Sequence, residues 1–134
     1  MPVAPGTVSM NRQVLVVSRD AMLLQTRQLI LGTFFHAECA GRIREAEVLM
    51  ASRRYDLIVL CYTLTERERR QIMEMAAEQK YRPKVLLLIP AGSPAEEPGP
   101  GDAVLTEAGP YYLLKKSAEM LGVDIRAKTG LVEV

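Results

Sequence analysis

Tyr55-Asp56-Leu57-Ile58-Val59-Leu60-Cys61 is the stretch on which the fold turns. Its four central residues are all large and apolar, with no polar alternation. A short run of that kind reads as a strand covered on both faces rather than one with a wet side. Four residues later Thr65 stands three positions before Glu68, the spacing of a capping box, and it opens a helix running to about Lys80. In that helix Ile72, Met75 and Ala76 are expected to face inward, and Glu66, Arg67, Arg69 and Arg70 to face water. A doubly covered strand feeding a helix is the unit of a parallel sheet.

The same unit recurs on either side. Upstream, Gln13-Val14-Leu15-Val16-Val17-Ser18 reads as a strand, Asp20 as the cap of a helix, and Met22, Leu23, Thr26, Leu29 and Ile30 as the buried stripe of that helix, with Gly32 near its stop. Ala37 to Ala40 makes a short second strand, with Cys39 in the core, and Ile43, Ala46, Leu49 and Met50 share one face of a second helix. Downstream, Val85-Leu86-Leu87-Leu88-Ile89 is a fourth buried strand and Ala103 to Thr106 a fifth. Pro110 opens a last helix with Leu114, Ala118 and Leu121 on one face, closed by Gly122.

Between the last two strands the pattern breaks. Residues 90–101 hold four prolines and three glycines, so the fourth helix of a regular series is expected to be shortened or missing. Right-handed crossovers then imply an α/β domain of flavodoxin-like type: a five-stranded parallel sheet in the order 2-1-3-4-5 with helices on both faces. Residues 1–12 are expected to form a flexible leader, 13–121 the domain and 122–134 a C-terminal tail. In this architecture a site lies beyond the carboxyl ends of the strands.

Composition narrows the function classes. The 134 residues fit one domain, and 17 basic against 16 acidic residues leave a formal charge of +1. Such a balance gives no bulk attraction to nucleic acid or to an anionic membrane. The N-terminus lacks the apolar region of a signal peptide, and the longest apolar run is too short to span a bilayer. Two cysteines, Cys39 and Cys61, without a CxxC or a histidine cluster, fit a reducing compartment. A cytoplasmic protein without cofactor or metal is the expectation. No phosphate-binding glycine loop or hydrolase motif occurs, and the glycines of Pro98-Gly99-Pro100-Gly101 alternate with prolines that have no amide to offer a phosphate.

In the order and spacing of these strands, residues 13–121 resemble the receiver domain of bacterial response regulators. Val14-Leu15-Val16-Val17 with the polar residues after it resembles that family's first strand, Tyr55 to Leu60 the strand that delivers its phosphoacceptor aspartate, and Val85 to Leu88 and Asp102 to Thr106 its fourth and fifth strands. The resemblance implies five chemical positions: two acids holding Mg²⁺, the aspartate, a hydroxyl and a lysine. Here Ser18, Arg19, Cys61, Ile89 and Glu107 stand at them, beside Asp20. Mg²⁺ requires hard oxygen ligands, which an arginine and a thiol do not supply, and Glu107 sets negative charge where phosphate would sit. The resemblance therefore implies a pseudo-receiver: not an enzyme, and a phosphorylation-independent interaction domain in two-component signalling or transcriptional control.

Further expectations attach to single residues. Arg19 and Glu107 reverse the family's charges and are read as an ion pair across the strand ends. Val104 stands where the family has a switching aromatic, and with Tyr111 and Tyr112 it marks an interaction face for a protein partner, one of the tyrosines being core. Arg19 beside Cys61 would favour the thiolate, so a cysteine-based redox sensor is a second reading, and a flavodoxin-like small-ligand binder or enzyme a third. His36 has no ligand partner at metal spacing. Arg53, Arg54 and the run Arg67 to Arg70 read as solvated charge interleaved with glutamates. The partner, the oligomeric state and any direct nucleic-acid contact are not specified, the last not being expected.

Overall fold

The computed structural model describes residues 12–90, 103–107 and 109–123; within 103–107 the side chains described are those of Val104 and Thr106. Four parallel strands, β1 (Gln13–Val17), β2 (His36–Ala40), β3 (Leu57–Leu60) and β4 (Lys84–Ile89), lie in the order β2-β1-β3-β4. This is the order expected from the alternation of strands and helices. Beyond β4 the backbone of Ala103–Glu107 (β5) runs parallel to it, with Ala103 opposite Val85 and Glu107 opposite Ile89. Four helices connect and cover the strands: α1 (Ala21–Gly32), α2 (Ile43–Ser52), α3 (Glu66–Glu78) and α4 (Pro110–Leu121). The leader, the tail and the expected loss of a helix across 90–101 fall outside the described residues, apart from Pro90, Arg12 and the first two residues after α4.

The period of two in each strand divides the core into two halves. Leu15, Val17, Ile58, Leu60, Val85 and Leu87 pack with Ala46, Met50, Ile72, Met73 and Ala76, on the side of α2 and α3. Val14, Val16, Leu57, Val59, Leu86 and Leu88 pack with Leu31, Phe34, Phe35, Leu113, Ala118 and Leu121, on the side of α1 and α4. Both faces of β3 are covered by apolar side chains, which is why it reads as an unbroken hydrophobic run.

The helix ends follow their sequence signals. The Asp20 carboxylate accepts from the amides of Met22 and Leu23 at 2.9 and 3.1 Å. Thr65 and Glu68 form the full reciprocal capping box. Gly122 ends α4 at φ 68°, a left-handed turn that side chains resist.

Three packing expectations need correction. On α1, Met22 and Leu29 are 78% and 70% exposed, and the buried residues are Arg27 and Leu31 with Leu24 half-buried. The inward stripe is thus Leu24-Arg27-Leu31, with Ile30 packed against the same core as expected, while Met22, Thr26 and Leu29 face solvent. Tyr111 and Tyr112 are both exposed, their rings edge to face at 5.4 Å, so neither is core. Leu113 takes the buried position on α4, with Leu114 only partly covered, and Cys39 is half-buried rather than core.

Candidate functional site

Strand parity decides what meets beyond the carboxyl ends of β1 and β3. Val14 and Val16 face α1, so Ser18, two residues on, continues on that side; Leu57 and Val59 do the same for Cys61. The backbone holds both in place, since the Ser18 amide donates to Ala40 and the Cys61 amide to Val17. Ser18 and Cys61 are both fully buried. Thr63, in the turn after β3, ties them together. Its hydroxyl lies 3.1 Å from the Ser18 hydroxyl, accepts from the Arg19 amide at 3.0 Å, and its own amide points at the Cys61 sulfur at 3.5 Å.

The residue that completes this pocket is Arg27. It projects from the inward stripe of α1, is 3% exposed, and donates a guanidinium N–H to the Cys61 Sγ. Its guanidinium carbon also lies 5.5 Å from the centroid of the Tyr62 ring. Arginine stays charged in proteins, so a buried guanidinium demands an electron-rich partner. Here that partner is sulfur, reinforced by an aromatic face. Burial pushes the Cys61 thiol up, but hydrogen bonds from Thr63, Ser18 and Arg27 outweigh it and bring the thiol below its ordinary value. Arg27 is absent from the sequence reading, which places Met22, Leu23, Thr26, Leu29 and Ile30 on the inward face of α1. Its spacing of three from Leu24 and four from Leu31 was the available signal.

Arg19, expected to act on Cys61 and to pair with Glu107, is engaged elsewhere. Its guanidinium grips both carboxylate oxygens of Glu68 at the start of α3, with the Nε contact at 2.9 Å. Arg19 holds the Glu68 carboxyl down at about 2, helped by the Thr65 amide and hydroxyl. The side chain of Glu107 lies outside the described residues. Ile89 is half-buried at the end of β4, and the parity of Val85 and Leu87 places it on the α2 and α3 side, opposite to Cys61. Val104 is half-buried against the α1 and α4 core. The structure therefore brings Ser18, Cys61, Thr63 and Arg27 together, sets Asp20 to capping, and separates Arg19 and Ile89 from the sulfur.

This donor set does not suit a hard divalent cation. Asp20 is spent on two amides, Arg19 is cationic, and a thiol under a guanidinium is the wrong ligand with the wrong neighbour. Among the described residues no three His, Cys, Asp or Glu side chains are grouped as a metal site. Nor is any described helix long and apolar enough to cross a membrane.

No protein-family model matches the chain, and no curated protein matches it. Solved structures do. The receiver domain of the Francisella response regulator 1452 superposes with a TM-score of 0.67 at 18% identity, over 84% of this chain and 98% of that one. The fold is that of a receiver domain. The chemotaxis response regulator CheY4 of Vibrio cholerae gives 0.62 at 23% identity, over 81% and 98% of the two chains. A structure of histidine kinase ThkA in complex with response regulator TrrA gives 0.64 at 19% identity, over 82% and 98%. On this receiver fold, Cys61 stands directly beyond β3, at the strand end where the resemblance puts the phosphoacceptor.

Proposed function

We propose that the chain is a receiver-like interaction domain of two-component signalling that binds a protein partner without being phosphorylated. One observation carries this reading: the group beyond β3 is a buried thiol held by the buried guanidinium of Arg27. Phosphoryl transfer needs a nucleophile open to an incoming phosphoryl group and a cation to neutralise it. Here the nucleophile's place is closed and its charge partner is fixed inside the protein. The engagement of Arg19 by Glu68 and of Asp20 by the first turn of α1 supports the same reading. So does the complex of a similar fold with a histidine kinase, as a precedent for protein partners. The face carrying Val104, Tyr111 and Tyr112 belongs to this proposal. Both tyrosines are exposed and preorganised against one another, which suits an interface.

The test is a backbone NMR titration with Mg²⁺ and then with Mg²⁺ plus beryllofluoride, a phosphoryl mimic. The expected result is no saturable shift at Ser18, Arg19, Asp20, Cys61 or Ile89. Saturable shifts at those residues would overturn the reading and make this a working receiver.

The lowered thiol supports a second reading, redox sensing through Cys61. Complete burial of the sulfur argues against it. Alkylation of Cys61 in the folded protein faster than that of half-buried Cys39 would favour the redox reading over the first.

A further inference from the structure

The opposite pole of the sheet carries a different chemistry. Arg12 precedes β1, Arg54, Tyr55 and Asp56 precede β3, and Arg82 and Lys84 lie at the start of β4. Together with Tyr81 and the last turn of α4 they line a groove of about 260 Å³. Its floor is fixed by backbone bonds between the strand starts: the Asp56 amide donates to Gln13 at 2.8 Å and the Lys84 amide to Asp56 at 3.1 Å.

What sets the groove apart is that its cations share one concave surface. Elsewhere Arg19 pairs with Glu68, Arg53 with Glu38, Arg70 with Glu66 and Lys116 with Glu119. None of the four cations in the groove has a carboxylate partner among the described residues. Arg54 lies over the Tyr81 ring at 3.9 Å, and Lys84 donates to the Met120 carbonyl. Asp56 is the one acid in the lining, and its Oδ2 accepts from the Gln13 amide at 2.8 Å. A chain of net charge +1 thus gathers a local surplus of positive charge around a concave surface. Tyr81 adds a half-exposed aromatic face at its rim.

We propose that this groove binds a nucleoside diphosphate. Three guanidinium forks and one ammonium match the charge and planar oxygen geometry of a diphosphate. The Tyr81 ring, already backed by Arg54, gives a base a surface to stack on. Recognition is by side chains, without a glycine-rich loop, and it lies at the end of the sheet away from Cys61. The site is therefore independent of whether the receiver pocket responds to phosphoryl mimics.

The experiment is an amide NMR titration of the full chain with ADP, with pyrophosphate and with adenosine, repeated on Arg82→Gln and Tyr81→Ala. ADP is expected to give saturable shifts at Arg12, Arg54, Asp56, Tyr81 and Lys84. Arg82→Gln should weaken ADP and pyrophosphate alike by about tenfold, and Tyr81→Ala should weaken ADP alone by about tenfold. Both positions are exposed, and an unchanged amide spectrum before titration verifies the fold of each variant. Absent or non-saturating shifts at the groove, or shifts indifferent to Arg82→Gln, would overturn the proposal. Pyrophosphate binding as tightly as ADP, or a single-stranded oligonucleotide binding more tightly, would overturn the nucleotide assignment.

Discussion

The guanidinium of Arg27 donates to the sulfur of Cys61, and both side chains are buried. The two partners are not equivalent. Cysteine can protonate and become a small apolar group, whereas arginine keeps its charge. Removing Cys61 therefore strands a buried cation, while removing Arg27 leaves a neutral thiol. Cys61→Ala is expected to cost about 3 kcal/mol, within the range for breaking a buried charged pair, and Arg27→Met about 1 kcal/mol or less. The double variant should recover most of the Cys61→Ala loss. Urea unfolding of the four proteins closes the cycle, and equal costs for the two single variants would refute the asymmetry.

The same contact makes stability depend on pH. The Cys61 thiol lies below its ordinary value of 9.0 in the folded protein. An acid whose folded value is depressed stabilises the fold fully above its unfolded value, and that contribution is lost as pH falls through the folded one. Unfolding free energy should thus rise as pH climbs from the depressed folded value toward 9.0, and Cys61→Ser should flatten the rise. Cys39 acts in the opposite sense, because burial and then Glu38 push its thiol up. The measurement belongs in a Cys39→Ala background, where a flat profile for intact Cys61 would contradict the assignment.

Arg19 and Glu68 offer a separate, acid-side test. The Glu68 carboxyl is drawn from 4.5 to about 2. Its stabilising contribution is present above the unfolded value and disappears as pH falls through about 2. Arg19 is 58% exposed, so solvent screening leaves the pair a small effect. Glu68 also closes the capping box with Thr65, and Glu68→Ala should cost about 1 kcal/mol in total. Arg19→Gln should cost less than Glu68→Ala, because it leaves the cap intact. Equal losses in thermal or urea unfolding would mean that the cap contributes nothing.

These relationships mark where the sequence was legible. The unbroken apolar runs of Val14 to Val17, Leu57 to Leu60 and Leu86 to Leu88 announced strands covered on both faces, and Asp20, Thr65 and Gly122 announced helix ends. Each of those signals is local, so one stretch of chain suffices to read it. The pocket is not local. Parity alone would have put Ser18 and Cys61 on the α1 side, but the identity of their partner depends on which stripe of α1 turns inward. Counting apolar residues chose Met22 and Leu29, both exposed, over Arg27. A long aliphatic stem lets arginine pass as a core residue while its head seeks an acceptor, and here the acceptor lies 34 positions away. Arg19 illustrates the complementary point. A carboxylate, Glu68, is available to it through the cap of α3, a contact that the strand-end alignment did not consider.

On the proposed reading, an aspartate placed at position 61 is not expected to make the domain phosphorylatable. In Cys61→Asp the new carboxylate would sit against Arg27, an acceptor better matched to guanidinium than sulfur is. Stability should stay within about 1 kcal/mol of the wild type, in contrast to Cys61→Ala, because the buried cation is given an anionic partner. That same pairing takes up the lone pairs a phosphoryl group would need, while Asp20 accepts from the first turn of α1 and Arg19 holds Glu68. Incubation with acetyl phosphate and Mg²⁺ should therefore leave the intact mass of Cys61→Asp unchanged. Adding Arg27→Met frees the carboxylate but leaves Arg19 bound to Glu68, and it too should remain unmodified. A mass gain of one phosphoryl group in Cys61→Asp alone would contradict the proposal that closure of the pocket by Arg27 excludes phosphorylation.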